Sequence, residues 1–190
     1  MTKFLFIFLF FLSTILSAQK FDGYVISNEN DTINCSFDVQ TNLFDRTMFY
    51  PTSVLKSVKI ITEKGEKVKY YPNQLKAFLI KNTKFGDYRF VSIDADKHKN
   101  FYQEVTIGKI SLYRSYVNNM QPGAFPIEKT FYCKDNELSS KETNFFNFRN
   151  WFGKFIEDYP ELHQKWMDSD NYYKKNQVAD VVKLYNEHFK

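Results

Sequence analysis

From Phe21 to about Cys133 the apolar residues of this chain alternate or fall in short runs, and from Asn144 onward they recur at every third and fourth position. Alternation gives an extended strand one apolar face, whereas spacing by three and four gives a helix one apolar stripe. A chain that uses the first period and then the second separates its strands from its helices. That order predicts an α+β fold rather than alternating βαβ units. The strand signals are Tyr24–Ile26, Thr32–Val39, Ser57–Thr62, Lys67–Tyr71, Ala77–Lys81, Tyr88–Ile93, Phe101–Ile107, Lys109–Tyr113 and Ile127–Cys133. Turn-forming residues separate them, among them Ser27–Asp31 and Glu63–Glu66, where Gly65 can take a positive φ. The connections are too short for parallel crossovers. The expected architecture is therefore a mostly antiparallel sheet or partial barrel of about eight strands, followed by two or three C-terminal helices.

In the helical part Phe145, Phe148, Phe152, Phe155, Ile156 and Tyr159 form one stripe, with Trp151 beside it. Pro160 suits the first turn of a second helix, Glu161–Met167, and Val178, Val181, Val182, Tyr185 and Phe189 mark a third. Thr143 or Asn144 is placed to cap the first helix and Asn176 the last.

Ahead of the strands stands a different kind of segment. Lys3 is followed by Phe4–Leu16, apolar except for Ser13 and Thr14, and then by Ser17-Ala18-Gln19. As a helix this run reaches about 20 Å, short of the roughly 30 Å of a hydrocarbon core. A lone cation, a short apolar run and a small residue at Ala18 read as an export signal over residues 1–18. Gln19 stands where a lipid-anchored chain needs cysteine, so no lipidation is expected. Residues 19–190 then form a single α+β domain, β-rich over 19–143 and helical over 144–190. After removal of the signal it is not membrane-spanning, and it resides in the periplasm or against the outer membrane.

An oxidising compartment turns attention to Cys35 and Cys133, the chain's two cysteines. Each sits among apolar residues at strand period, so both thiols are expected to face inward, either as a disulfide or as two buried thiols. A bridge would close a loop of about a hundred residues, worth up to about 4–5 kcal/mol in the chain-entropy description.

Charge is concentrated between Lys56 and Lys84, where eight lysines meet only Glu63 and Glu66. In the second hairpin Lys59, Lys67 and Lys69 share one face and Val58, Ile60, Val68 and Tyr70 the other. A basic face outside the inner membrane can meet an anionic envelope surface or an acidic envelope protein. It also suits an exposed strand that must avoid edge-to-edge pairing. No nucleic-acid-binding motif is present, and nucleic acid is not an expected partner of an exported chain.

Signatures of catalysis are missing. There is no Gly-x-Ser-x-Gly, phosphate loop, Cys-x-x-Cys or His-Glu-x-x-His. His163 and His188 fall on helices and read as surface or packing residues. Asp94, Asp96 and His98 would point the same way if their segment were extended, offering two oxygens and one imidazole to a cation. Lys97 and Lys99 oppose that use, and a solvated loop is the simpler reading. No cofactor is expected.

Gly23-Tyr24-Val25-Ile26 followed by Asn30-Asp31-Thr32-Ile33 resembles the start of small exported bacterial proteins of uncharacterised function. Tyr71-Pro72-Asn73-Gln74-Leu75-Lys76-Ala77-Phe78, Gly108-Lys109-Ile110-Ser111-Leu112-Tyr113 and Val182-Lys183-Leu184-Tyr185-Asn186 look like their later recurrent elements. The resemblance implies an exported α+β domain and lends no catalytic residue or ligand. The expected role is a non-enzymatic envelope binding or structural module. The alternatives are an envelope hydrolase with a carboxylate-based site and a carrier of an apolar ligand.

Overall fold

The structure, a computed structural model, describes residues 20–121, 124–140, 145–168, 173 and 177–190. The export signal and the caps expected at Thr143, Asn144 and Asn176 lie outside the described residues.

Ten strands form one antiparallel sheet: β1 (Phe21–Ser27), β2 (Thr32–Phe37), β3 (Val58–Ile61), β4 (Lys67–Tyr70), β5 (Leu75–Thr83), β6 (Gly86–Ser92), β7 (Phe101–Thr106), β8 (Ile110–Val117), β9 (Ile127–Lys134) and β10 (Glu137–Ser139). Their order across the sheet is β10-β9-β8-β7-β6-β5-β1-β2-β3-β4. Three helices follow: α1 (Phe145–Phe155), α2 (Pro160–Met167) and α3 (Val178–His188). The expected α+β class is present, with two corrections. The sheet is open, with β4 and β10 as free edges, rather than a partial barrel, and it has ten strands rather than about eight. The extra three-residue strand β10 folds back on β9 through Asp135 and Asn136, whose φ angles of 52° and 62° are those of a tight hairpin turn.

Each face of the sheet has its own core, because neighbouring residues on a strand point to opposite sides. On one face Phe21, Val25, Phe37, Phe78, Phe90 and Phe101 pack together. Phe78 stacks on Phe90 at 5.0 Å and meets Phe101 edge-on at 4.9 Å. The segment between β2 and β3 lies over this face, contributing buried Phe49, Val54 and Leu55. Its backbone joins the sheet where Phe101 N–H donates to the Leu55 carbonyl at 2.7 Å. Helices cover Ile110 and Leu112 of β8 and Tyr132 of β9 with Phe148, Phe152 and Trp166, among others. Loop and helices thus shield the face that barrel closure would otherwise have to enclose. On the reverse side Ala77, Val91, Tyr102 and Tyr113 form a smaller cluster.

Those two faces overturn the disulfide. Cys35 belongs to the first cluster and Cys133 packs against the reverse one, and both thiols are free. Six strand spacings of about 4.8 Å separate β2 from β9, whereas a bridge needs Cα atoms within about 7 Å. Both thiols do sit among apolar groups, but on opposite sides of the sheet. Burial pushes the Cys35 thiol up to about 11 and also raises that of Cys133.

One side chain of α3 bonds directly to the backbone of β8. Asn186 on α3 is buried and accepts from Ile110 N–H at 2.9 Å while donating to the Ile110 carbonyl at 2.8 Å. Its amide therefore replaces a neighbouring strand at the start of β8. Gly108 makes room for it, since a Cβ there would fall 2.4 Å from the Asn186 amide.

Replacing Asn186 with leucine leaves two backbone groups unpaired and is expected to lower the unfolding free energy by about 2–4 kcal/mol. Gly108→Ala should act through the same contact, so the double variant should lose less than the sum of the singles in urea denaturation.

Candidate functional site

Lysines 59, 67 and 69 are carried by the β3–β4 hairpin at one end of the sheet. The turn between the strands is fixed by Thr62 N–H donating to the Glu66 carbonyl at 2.9 Å and by Gly65 at φ 83°. Registry places Lys59 directly opposite Lys69, and Ile61 opposite Lys67. Val58 and Ile60 are buried and Val68 and Tyr70 half-buried against the larger core, so the three lysines stand together on the outward face. Lys67 pairs with Asp38 at 3.0 Å. Lys69 lies 5.0 Å from the centre of the Tyr71 ring. Among the described residues no carboxylate reaches Lys59 or Lys69 within ion-pair distance. Two like charges directly opposed on adjacent strands repel, and a bound anion relieves the repulsion.

Asp94, Asp96 and His98 do not line up, because their segment is not extended. Asp94–Asp96 forms one 3-10 turn, and Lys97 and His98 follow at φ 52° and 51°. The curl brings His98 Nε2 to 2.9 Å from Asp94 Oδ1 and His98 Nδ1 to 2.6 Å from Ser92 Oγ. Asp96 is occupied elsewhere, accepting from Asn100 at 2.7 Å. Two of the three candidate ligands, Asp94 and His98, therefore meet. Among the described residues no three His, Cys, Asp or Glu side chains gather closely enough to hold a metal ion.

The Asp94–His98 loop borders a cleft of about 510 Å³ on the reverse face of the sheet. Ile26, Ala77, Val91 and Tyr113 line it with apolar surface, and the Arg89–Glu104 pair, 3.2 Å apart, crosses it. A ligand entering this cleft competes with charges already paired to each other. The lysine face presents the opposite condition, a charge surplus in which Lys67 is paired with Asp38 and the opposed Lys59 and Lys69 have no carboxylate within ion-pair distance among the described residues.

Two further features carry no strong sequence signal. The first is a hub that ties the helices to the sheet. Asp158, between α1 and α2, accepts from Tyr185 at 2.8 Å, Lys109 at 3.0 Å and Lys134 at 3.1 Å. Lys109 Nζ also sits 3.4 Å from the centre of the Phe189 ring. Burial pushes the Asp158 carboxyl up, yet the hydrogen bonds from Tyr185, Lys109 and Lys134 outweigh it and hold the group at about 2. The second is a set of exposed apolar side chains at Leu43, Phe44 and Met120. Residues so far apart in sequence give no common pattern to read.

No family model, curated protein or solved structure matches this chain. Among the described residues no helix is long and apolar enough to cross a membrane.

Because the folded carboxyl of Asp158 titrates below its unfolded value of about 3.9, its contribution to stability is complete above that value and fades as pH falls toward 2. Asp158→Asn should therefore melt below the native protein at neutral pH, with the gap narrowing in melts recorded from pH 5 down to pH 2.

Proposed function

We propose that this chain is an exported envelope protein that works by binding, and that it holds an anionic partner against the outward face of the β3–β4 hairpin. The observation that carries this reading is the opposed pair Lys59 and Lys69, which has no carboxylate within ion-pair distance among the described residues. Lys67 widens the cationic surface while keeping one internal partner. Side chains directly across adjacent strands have Cβ atoms about 5 Å apart, a spacing that suits neighbouring anionic groups on a polymer or an acidic protein face. The position on an edge hairpin leaves the approach open on one side. The same lysines discourage pairing of β4 with another sheet, so one set of charges serves solubility and recognition together. Export is supported by Lys3, the apolar run Phe4–Leu16 and the small residue Ala18.

The probe is fluorescent dextran sulfate, a polymer of closely spaced anions, titrated at increasing salt. Binding should weaken steeply with ionic strength. Lys59→Gln with Lys69→Gln should reduce affinity by roughly tenfold, while Lys97→Gln with Lys99→Gln changes it little. Equal loss in both double variants, or affinity unaffected by salt, would reject the hairpin as the contact.

A further inference from the structure

We infer that the protein also inserts a preformed apolar tip, made by Leu43, Phe44 and Met120, into a lipid surface. Leu43 is 90% exposed, Phe44 99% and Met120 101%, while most large apolar residues of the sheet are buried. The first two occupy the tip of a small hairpin between β2 and β3. Thr41 bridges to Phe49, Asn42 N–H donates to the Met48 carbonyl at 2.8 Å, and Tyr50 N–H donates to that of Gln40 at 2.8 Å. The Asn42 side-chain carbonyl accepts from Phe44 N–H at 2.9 Å and from Asp45 N–H at 3.2 Å. The root is anchored by buried Phe49, edge-on to Tyr88 at 5.0 Å. The tip is therefore fixed before any contact is made, and little conformational entropy remains to be lost on docking.

Chemistry around the tip favours lipid over a protein partner. Asp45 carries the carboxylate nearest in sequence, and Lys84 neutralises it at 2.7 Å. Hydrogen bonds from Lys84 and Thr47 hold that carboxyl at about 2, so it stays in its paired, ionised form. Arg46 is exposed on the same hairpin. A groove of about 700 Å³ is lined by Leu43, Phe44 and Met120 together with Asn42, Tyr50 and Asn118. Uncharged amides and a tyrosine therefore adjoin the apolar side chains, the mix of polarity an interfacial anchor uses. Their near-complete exposure lets a fluid acyl layer close around them.

This surface is separate from the lysine hairpin. The 38–57 segment lies on the larger-core face, whereas Lys59, Lys67 and Lys69 project from the reverse face. The two contacts therefore fail or succeed independently.

The test is flotation of the protein with phosphatidylcholine vesicles, with and without an anionic phospholipid, at about 0.1 M and about 0.5 M salt. Binding should persist at the higher salt. Leu43→Ser, Phe44→Ser and Met120→Ser together should lower the partition coefficient at least about tenfold, because three apolar side chains leave the bilayer. The melting temperature and dextran sulfate affinity of this variant should match the native protein, since the removed side chains are almost fully exposed. In a Phe44→Trp variant, lipids brominated along the acyl chain should quench the new emission relative to the native tryptophans. Absence of vesicle binding, equal binding by the triple variant, or emission from residue 44 that brominated lipid leaves unchanged would each overturn lipid insertion. Dextran sulfate binding lost with vesicle binding intact would instead strike only the hairpin reading.

Discussion

Strand β1 is hydrogen-bonded along both edges, to β2 on one side and to β5 on the other. Everything else in the sheet is laid out from that double pairing. The chain first builds outward through β2, β3 and β4, then returns to the centre as β5 and builds outward again through β10. Both free edges therefore belong to strands far from β1, and the interior strands are paired on each side. The lysine hairpin sits at one extremity because the first excursion ends there. The segment between β2 and β3 covers the larger core because it leaves from a strand next to the centre. A sheet built from one hairpin after another in simple succession would have placed β1 at an edge.

The lysine face was readable because a period of two fixes which side each residue takes once a strand is recognised. Lys59, Lys67 and Lys69 needed no knowledge of neighbouring strands to be placed together. The helices were readable for a similar reason, since Phe148, Phe152 and Ile156 carry their own stripe and are buried along it. Strand positions followed from alternation, although β5 and β8 extend further than the pattern suggested. Each of those gains is local.

What escaped the sequence depends on residues distant in the chain or on special backbone conformations. Cys35 and Cys133 both satisfy the inward pattern, but alternation cannot say that the sheet has two apolar faces or which thiol belongs to which. A cation arrangement of Asp94, Asp96 and His98 required extended backbone, and two consecutive left-handed residues curl the segment into a loop, the simpler of the two readings. Phe49, Val54 and Leu55 are core residues on a segment with neither strand nor helical period, so no rule assigns them. The exposed tip is hidden for the opposite reason. Leu43, Phe44 and Met120 look like core material until the hydrogen bonds of Asn42 are known to turn the first two outward.

Asn186 also has a meaning in time. Its two bonds to Ile110 span 76 positions of sequence. The start of β8 thus remains unfinished until α3 has been made. A partly emerged chain can form its early hairpins, but it cannot seal the sheet where α3 docks. Closure by α3 makes synthesis through Asn186 a condition for completing the sheet at Ile110.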